Sequence, residues 1–354
     1  MAYTTINKSS DYFNTKLYTG NSSTNAITGV GFQPDWVWIK NRSDSYNNAL
    51  FDAVRGVTKF IASNNSDAEQ TNANELTAFG TDGFTTGNAN RTNNNSDSFV
   101  SWNWKANGAG SANTDGDINS TVSANTTAGF SIVKYTGNGL NDQTVGHGLG
   151  ARPTAWFIKR LGSADDWIVY HQGMGATQSA DWYDDTYMYL NSNSAKMGSI
   201  NAGTGNPTSS VFYIGSTGRT GVNGDDYIAY VFAEKTGFSK FGQYASNNST
   251  DGSFVYTGFK PNWVMVKSIG SGGYNWMIFD SVRQPNNLNG VTLQADTNGA
   301  EFDYAPNGYV DLLSNGFKLR STSNGVNGSG ATNYLYMAFG QSIVGSNNIP
   351  ATAR

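Results

Sequence analysis

The sequence predicts an all-β chain of three tandem antiparallel β-sandwich repeats of jelly-roll or lectin-like type, and three observations carry that prediction. One segment is written three times: GVGFQPDWVWIK (Gly29–Lys40), HGLGARPTAWFIK (His147–Lys159) and YTGFKPNWVMVK (Tyr256–Lys267), each with a Lys six residues after Pro34, Pro153 or Pro261. The residues after each Pro are bulky on both parities, as in Trp36, Val37, Trp38 and Ile39, which is the pattern of a strand buried on both faces. The 354 residues include 42 Gly, 13 % aromatic and only 14 % charged residues, with long Asn/Ser/Thr/Gly tracts and no helical periodicity. That composition describes short strands joined by polar turns.

Taken in order, each repeat opens on an aromatic strand and turn: YFNTKLYTGN (Tyr12–Asn21), GFSIVKYTGN (Gly129–Asn138) and GFSKFGQYASN (Gly237–Asn247). The proline-led strand follows, its Pro closing a turn and tolerated at a strand's first residue because the missing N–H needs no partner there, its Lys marking the exit to water. A third strand comes next, in ALFDAVRG (Ala49–Gly56), WIVYHQGMG (Trp167–Gly175) and WMIFDSVRQ (Trp276–Gln284). The middle of each repeat diverges, and a strand then returns in DGFTTG (Asp82–Gly87), VFYIGS (Val211–Ser216) and NGFKLRS (Asn315–Ser321). The closing strands FVSWNWKA, YIAYVFAE and LYMAFGQ put Trp102 with Trp104, Tyr230 with Phe232, and Met337 with Phe339 on one face at period two. The expected units are 1–108, 129–235 and 236–354, with three modest cores and a polar linker over 109–128 that holds a local hairpin around Thr114–Asp117.

A formal net charge of −4 without a Lys/Arg cluster argues against a nucleic-acid footprint. With no Cys and only two His, disulfides and thiolate metal sites are excluded and zinc chemistry is limited. No apolar run approaches the ~18 residues of a membrane span, and no basic-then-apolar leader opens the chain, so a soluble protein made without a Sec signal is expected.

In the first repeat, the order YTGN, GFQPDWVWIKNR, LFDAVRG, GTDGFTTG and VSWNWKA resembles a domain of unknown function in virion structural proteins of marine tailed phages, including those of cyanobacteria and pelagic bacteria. The second repeat, with GFSIVKYTGNG and VGHGLGARPTAWFIK, is similar to the companion form that follows it, and SNNIPATAR resembles endings of the same proteins. The third repeat departs by YASN in place of YTGN and by lacking the Lys of WKA. The resemblance implies a lectin-like sandwich and a place on the virion as a tail fibre, a tail-associated protein or a capsid decoration. It supplies no catalytic residue.

Candidate chemistry is sparse. Asp181, Asp184 and Asp185 are placed to hold a cation or to act as paired carboxylates of a glycan depolymerase, against the plainer reading of a solvated loop. Asn113–Asn119 (NTDGDIN) begins like a calcium loop, but its twelfth position is Ala124 where a bidentate Glu is required, so a turn is expected. His147 is expected to shape its turn through a backbone hydrogen bond. His171 stands where the related segments have Asp52 and Asp280. Asp52 with Arg55 and Asp280 with Arg283 read as structural clamps, and Trp36 and Trp263 as core rather than sugar-stacking residues. The sequence therefore predicts no catalytic, cofactor or metal residue. It predicts a non-enzymatic virion protein, a tail-fibre or tail-associated component in host-surface attachment with a capsid decoration protein or a glycan depolymerase as alternatives, assembled in the host cytoplasm, with other virion proteins and a host surface glycan or receptor as partners, neither nucleic-acid-bound nor membrane-inserted. A homotrimer is expected, with the loops Asn64–Asn74 and Ser179–Asn193 as the receptor site.

Overall fold

The computed structural model describes residues 4–174, 186–198, 206–304 and 308–342. Among these the chain is nearly all β-strand; the helical elements are one four-residue helix, Asn90–Asn93, and two 3-10 turns. In the N-terminal segment the opening strand Phe13–Thr19 pairs with the closing strand Ser98–Trp104, which pairs with the proline-led strand Trp36–Asn41 and through it with the third strand Ala49–Asp52, all antiparallel. The same order recurs in the middle segment as Phe130–Thr136, Asp226–Phe232, Ala155–Arg160 and Ile168–His171. It recurs again in the C-terminal segment as Ser239–Ala245, Asn333–Ser342, Phe259–Ser268 and Met277–Asp280. Pro261 lies inside its strand rather than ahead of it, and a bulge between Pro261 and Trp263 absorbs the missing donor.

A small sheet covers one face of each large one. Its strands are Asn25–Thr28, Gly83–Thr86 and Leu76–Gly80, then Gln143–Gly146 with Val211–Ile214, then Phe254–Tyr256, Gly316–Leu319 and Val310–Leu313. Alternation along the proline-led strand sends Val37 and Ile39, or Trp156 and Ile158, or Val264 and Val266, into the local core beneath that cover.

The opposite faces do not meet solvent. Trp36, Trp38, Trp102 and Trp104 join Phe157, Tyr230 and Phe232 and also Trp263, Met265, Met337 and Phe339 in one continuous core shared by all three segments. Trp36 stacks on Tyr230 at 4.3 Å, Trp104 meets Trp263 edge-on at 5.8 Å, and Phe232 lies 6.0 Å from Phe339. Three separate modest cores were expected; local cores exist, but the largest apolar cluster belongs to no single segment. The face defined by the closing-strand aromatics is the face that meets it. In the middle segment Ala155 takes the register position of Trp36 and Trp263, opposite Phe232 and His171, so the indole shifts by one residue and Trp156 turns to the local core, 4.8 Å from Tyr170.

The stretch 109–128, expected as a linker, contains the strands Ser111–Asn113 and Ser120–Asn125. The second pairs along Phe130–Thr136, so this polar stretch extends the middle sheet. Its Ser and Thr alternate with Val122 and Ala124, a weak strand pattern that the surrounding Asn and Gly obscure.

The segments are joined in a closed cycle. The N–H of Glu301 donates to Arg42 O at 2.9 Å, that of Glu69 to Leu161 O at 2.9 Å, and that of Lys196 to Ile269 O at 3.2 Å. Arg42, Leu161 and Ile269 each lie eight residues after the repeated Pro, so one backbone bond is made at one register position at every junction. A second ring of bonds starts just ahead of each third strand: Asn48 Nδ2 to Thr297 O at 3.0 Å, Trp167 Nε1 to Ala62 O at 2.8 Å, and Trp276 Nε1 to Tyr189 O at 2.9 Å.

The three lysines were expected to mark exits to water, and here the structure overturns the reading. Lys40, Lys159 and Lys267 are all fully buried. Lys40 Nζ donates to Asn298 O at 3.1 Å and Lys159 Nζ to Ser66 O at 3.2 Å, both across a junction, while Lys267 Nζ donates to Tyr274 O within its own segment. Burial lowers each amine to about 8. The divergent loops supply the two carbonyls that cross a junction, Asn298 O and Ser66 O, which makes Asn64–Asn74 a clasp on the middle segment.

Candidate functional site

A groove lies on the outer side of the C-terminal segment. Strand Phe254–Tyr256 alternates so that Val255 enters the local core while Phe254 and Tyr256 face outward, 46 % and 56 % exposed. Phe254 sits opposite Lys318 in the ladder, and Lys318 Nζ lies 2.8 Å from Asp251 Oδ1. Beside that pair a cavity of about 700 Å³ is lined by Leu288 and Tyr304 together with Thr250, Asp251, Arg320, Ser321 and Thr322. Tyr304 is 39 % exposed, and its ring is held by stacking on Tyr309 at 4.9 Å. Arg320 Nε is bound to Asp311 at 3.1 Å, and its Nη1 stands 3.8 Å from Asp251. Asp251, with 84 % of its side chain exposed, is held below the usual carboxylate range, first by the hydrogen bond from Lys318 and then by that lysine's charge. An aromatic ring, a guanidinium and a largely exposed carboxylate therefore share one groove.

A second cavity, about 440 Å³, opens between the N-terminal and middle segments among Arg55, Lys59, Glu69, Lys134 and Asp226. Its charges are mutually paired: Arg55 with Glu69 at 3.2 Å, Lys59 with Glu69 at 3.5 Å, and Lys134 with Asp226 at 2.8 Å. This is a polar seam at a junction.

The residues singled out in the sequence fall almost entirely into structural roles. Asp52 Oδ2 binds Arg55 Nε, Asp280 Oδ2 binds Arg283 Nε, and all four side chains are buried. Each guanidinium also reaches a strand carbonyl, Leu50 O or Ile278 O, completing the clamp. Each clamp also receives a donor from a neighbouring segment: Tyr230 Oη gives its proton to Asp52, and Trp102 Nε1 donates to Asp280 at 3.1 Å. At the third such place His171 accepts the Gly173 N–H on Nδ1, so its ring proton is on Nε2 and donates to Tyr336 O at 3.1 Å. His147 likewise accepts the Leu149 N–H on Nδ1, which is the turn-shaping bond the sequence led one to expect, and lies 3.3 Å from Thr208 O. Burial lowers both imidazoles to about 4, leaving them neutral.

Asn113–Asn119 forms a turn whose side chains are used locally. Asn113 caps Asp115, and Asp117 accepts from the Thr144 N–H and hydroxyl. Trp36 and Trp263 are buried in the shared core. Asp181, Asp184 and Asp185, residues 179–185 of the second proposed receptor loop, and the SNNIPATAR tail lie outside the described residues. The described part of that loop clasps the C-terminal segment through the carbonyls of Tyr189 and Asn193, which accept from Trp276 Nε1 and the Gly273 N–H. No group of three or more acidic or His side chains among the described residues could hold a metal ion.

The sequence profile of a domain of unknown function, DUF7483, matches residues 8–342. The chain belongs to the DUF7483 family. The match takes in all three large sheets in one span, as the shared core does. No curated protein and no solved structure matches the chain.

For this DUF7483 chain the repeated YTGN and YASN pieces have a structural explanation that their sequence alone did not reveal. Tyr18, Tyr135 and Tyr244 donate their hydroxyls to Thr92 O, Thr220 O and Val326 O at 2.7, 2.8 and 2.6 Å. Their rings stack on Phe99, Tyr227 and Tyr334 of the closing strands. The groove escaped the sequence reading because its residues come from separate turns.

Proposed function

We propose that this chain is a structural protein of a tailed-phage virion, built as three tandem β-sandwich repeats closed into a pseudo-threefold body, and that it contributes to attachment at the host surface without catalysing a reaction. The observation that carries the reading is the cycle of junctions. The chain of each thrice-written segment runs on two residues past its Lys, to Arg42, Leu161 and Ile269, whose carbonyls join one segment to the next. A chain that spends its repeated motif on internal closure is a scaffold, and its recognition chemistry belongs on the rim. The virion setting comes from the motif resemblance, and the partners it implies are other virion proteins and a host surface glycan.

The closure also favours the capsid-decoration form of this reading over a homotrimeric fibre. One chain already arranges three related units around a common core, and such a body offers three related faces to a threefold partner while remaining a monomer. An epitope inserted in the exposed turn at Ser22–Ser23 and located on intact particles by electron microscopy tests the proposal. Label on the shell supports decoration and label on the tail supports the fibre. A protein made in infected cells but missing from purified particles would overturn the virion reading. Incubation with host envelope polysaccharide is expected to release no reducing ends, and their release would overturn the non-catalytic part.

A further inference from the structure

We propose that the groove of the C-terminal segment between Tyr304 and the Asp251–Arg320 pair binds a neutral, hexose-rich oligosaccharide. The proposal deepens the attachment reading and rests on it for its biological setting, but its chemistry stands on the groove alone.

The cavity, about 700 Å³, lies within the ~300–1,000 Å³ range of small-molecule sites. A pyranose ring has a face of C–H groups that packs on an aromatic ring and an edge of hydroxyls that both donate and accept hydrogen bonds. Tyr304 offers the aromatic face, held in place by Tyr309, so little entropy is lost when a ring settles on it. The hydroxyl edge has matching partners. Asp251 accepts, Arg320 presents a guanidinium fork already oriented by Asp311, and Thr250 and Thr322 add hydroxyls that do either.

Charge selects the class of sugar. Lys318 and Arg320 are balanced by Asp251 and Asp311, so the groove has no excess cation to hold a uronate or a sialic acid. Phe254, opposite Lys318 in the ladder, is a further exposed aromatic ring on the same segment. The corresponding strands of the other two segments, Asn25–Thr28 and Gln143–Gly146, contain no aromatic residue at the places of Phe254 and Tyr256.

The test uses the purified full chain and saturation-transfer NMR with a mixture of neutral glucose, galactose and mannose tri- and tetrasaccharides, alongside trigalacturonic acid. Transfer to a neutral component is expected. Tyr304→Ala and Asp251→Ala are each expected to weaken it by roughly tenfold or more, and Tyr304→Phe to retain it. Both side chains are exposed enough for the variants to keep the wild-type melting curve, which is measured in parallel. Absence of transfer from every neutral component, tighter binding of the uronate, or binding that survives both alanine variants would each overturn the proposal. Because no particle is involved, failure here leaves the virion reading standing, and loss of the virion reading leaves a positive result intact.

Discussion

Tyr230 of the middle segment donates its hydroxyl to Asp52 of the N-terminal segment at 2.8 Å, on the same carboxylate oxygen that binds Arg55. The bond is buried, charge-assisted and made across a junction, so it couples the fold of one segment to that of the next. Tyr230→Phe is expected to cost about 1.5–3 kcal/mol, the range for a hydrogen bond to a charged group. Asp52→Ala is expected to cost more, about 3–5 kcal/mol, because it leaves the Arg55 guanidinium buried with Glu69 as its remaining acidic partner. Urea denaturation of both single variants and the double variant checks this. Strict additivity would mean that the two side chains do not act as a pair.

Trp36 and Trp263 each fill part of the core common to all three segments, so truncating either should be felt throughout the molecule. Trp36→Ala and Trp263→Ala are each expected to cost about 3–5 kcal/mol. The melt should keep a single transition that moves as a whole, because no segment can lose its half of the shared core alone. An isolated 129–235 fragment should fail to give a soluble folded monomer, since it would expose Ile132, Phe157, Tyr230 and Phe232 at once. A well-folded fragment, or a wild-type melt in three separate steps, would show that the segments are independent.

Much of this architecture is legible in the sequence where burial repeats. Bulky residues on both parities of Trp36–Ile39 require two apolar environments, and the structure supplies them, a local core for Val37 and a shared one for Trp36. What the pattern could not say was that the second environment was another part of the same chain, because nothing local to Trp36 names Tyr230 as its neighbour. The lysines misled for a related reason. A Lys ending an apolar run normally reaches water, but Lys40 and Lys159 each give the buried amine to the next residue's carbonyl and to one delivered by a distant loop, Asn298 O or Ser66 O. The groove was illegible because Asp251, Leu288, Tyr304 and Arg320 come together only through the turns of the finished fold.

Acid sensitivity should trace to the two histidines. Their native pKa is lowered to about 4, below the unfolded value of 6.5, so the unfolded chain binds more protons between those limits. Their contribution is fully present above about pH 6.5 and is lost as the pH falls toward about 4, by up to about 3 kcal/mol for each group. Asp296 runs the other way. Burial raises it to about 6, so its contribution is present at low pH and lost as the pH rises through that value. The difference between wild type and His171→Asn isolates the imidazole, and the variant should show a shallower loss of stability between pH 6.5 and 4. Parallel curves for the two proteins would mean that His171 is not held neutral in the fold.

The purified chain should be a monomer. The sequence led to the expectation of a trimer, on the argument that sandwiches with few charged residues have edges to cover and that fibres around a tail axis close as cyclic oligomers. The structure provides an internal answer to the same need. The large sheets bury their second faces against one another, and the junction made from Glu301 to Arg42 returns the C-terminal segment to the first and completes the cycle within one chain. A further copy is not required to cover those faces. Light scattering is therefore expected to give one chain mass, 38.0 kDa, at all concentrations short of aggregation. On the decoration reading proposed above, the same monomer is expected to bind assembled particles and not isolated coat subunits, because an assembled shell presents a threefold set of contacts. A stable species of three times the chain mass would instead place the oligomer contacts on the outer rims of the small sheets, and with them the fibre arrangement would replace the decoration reading.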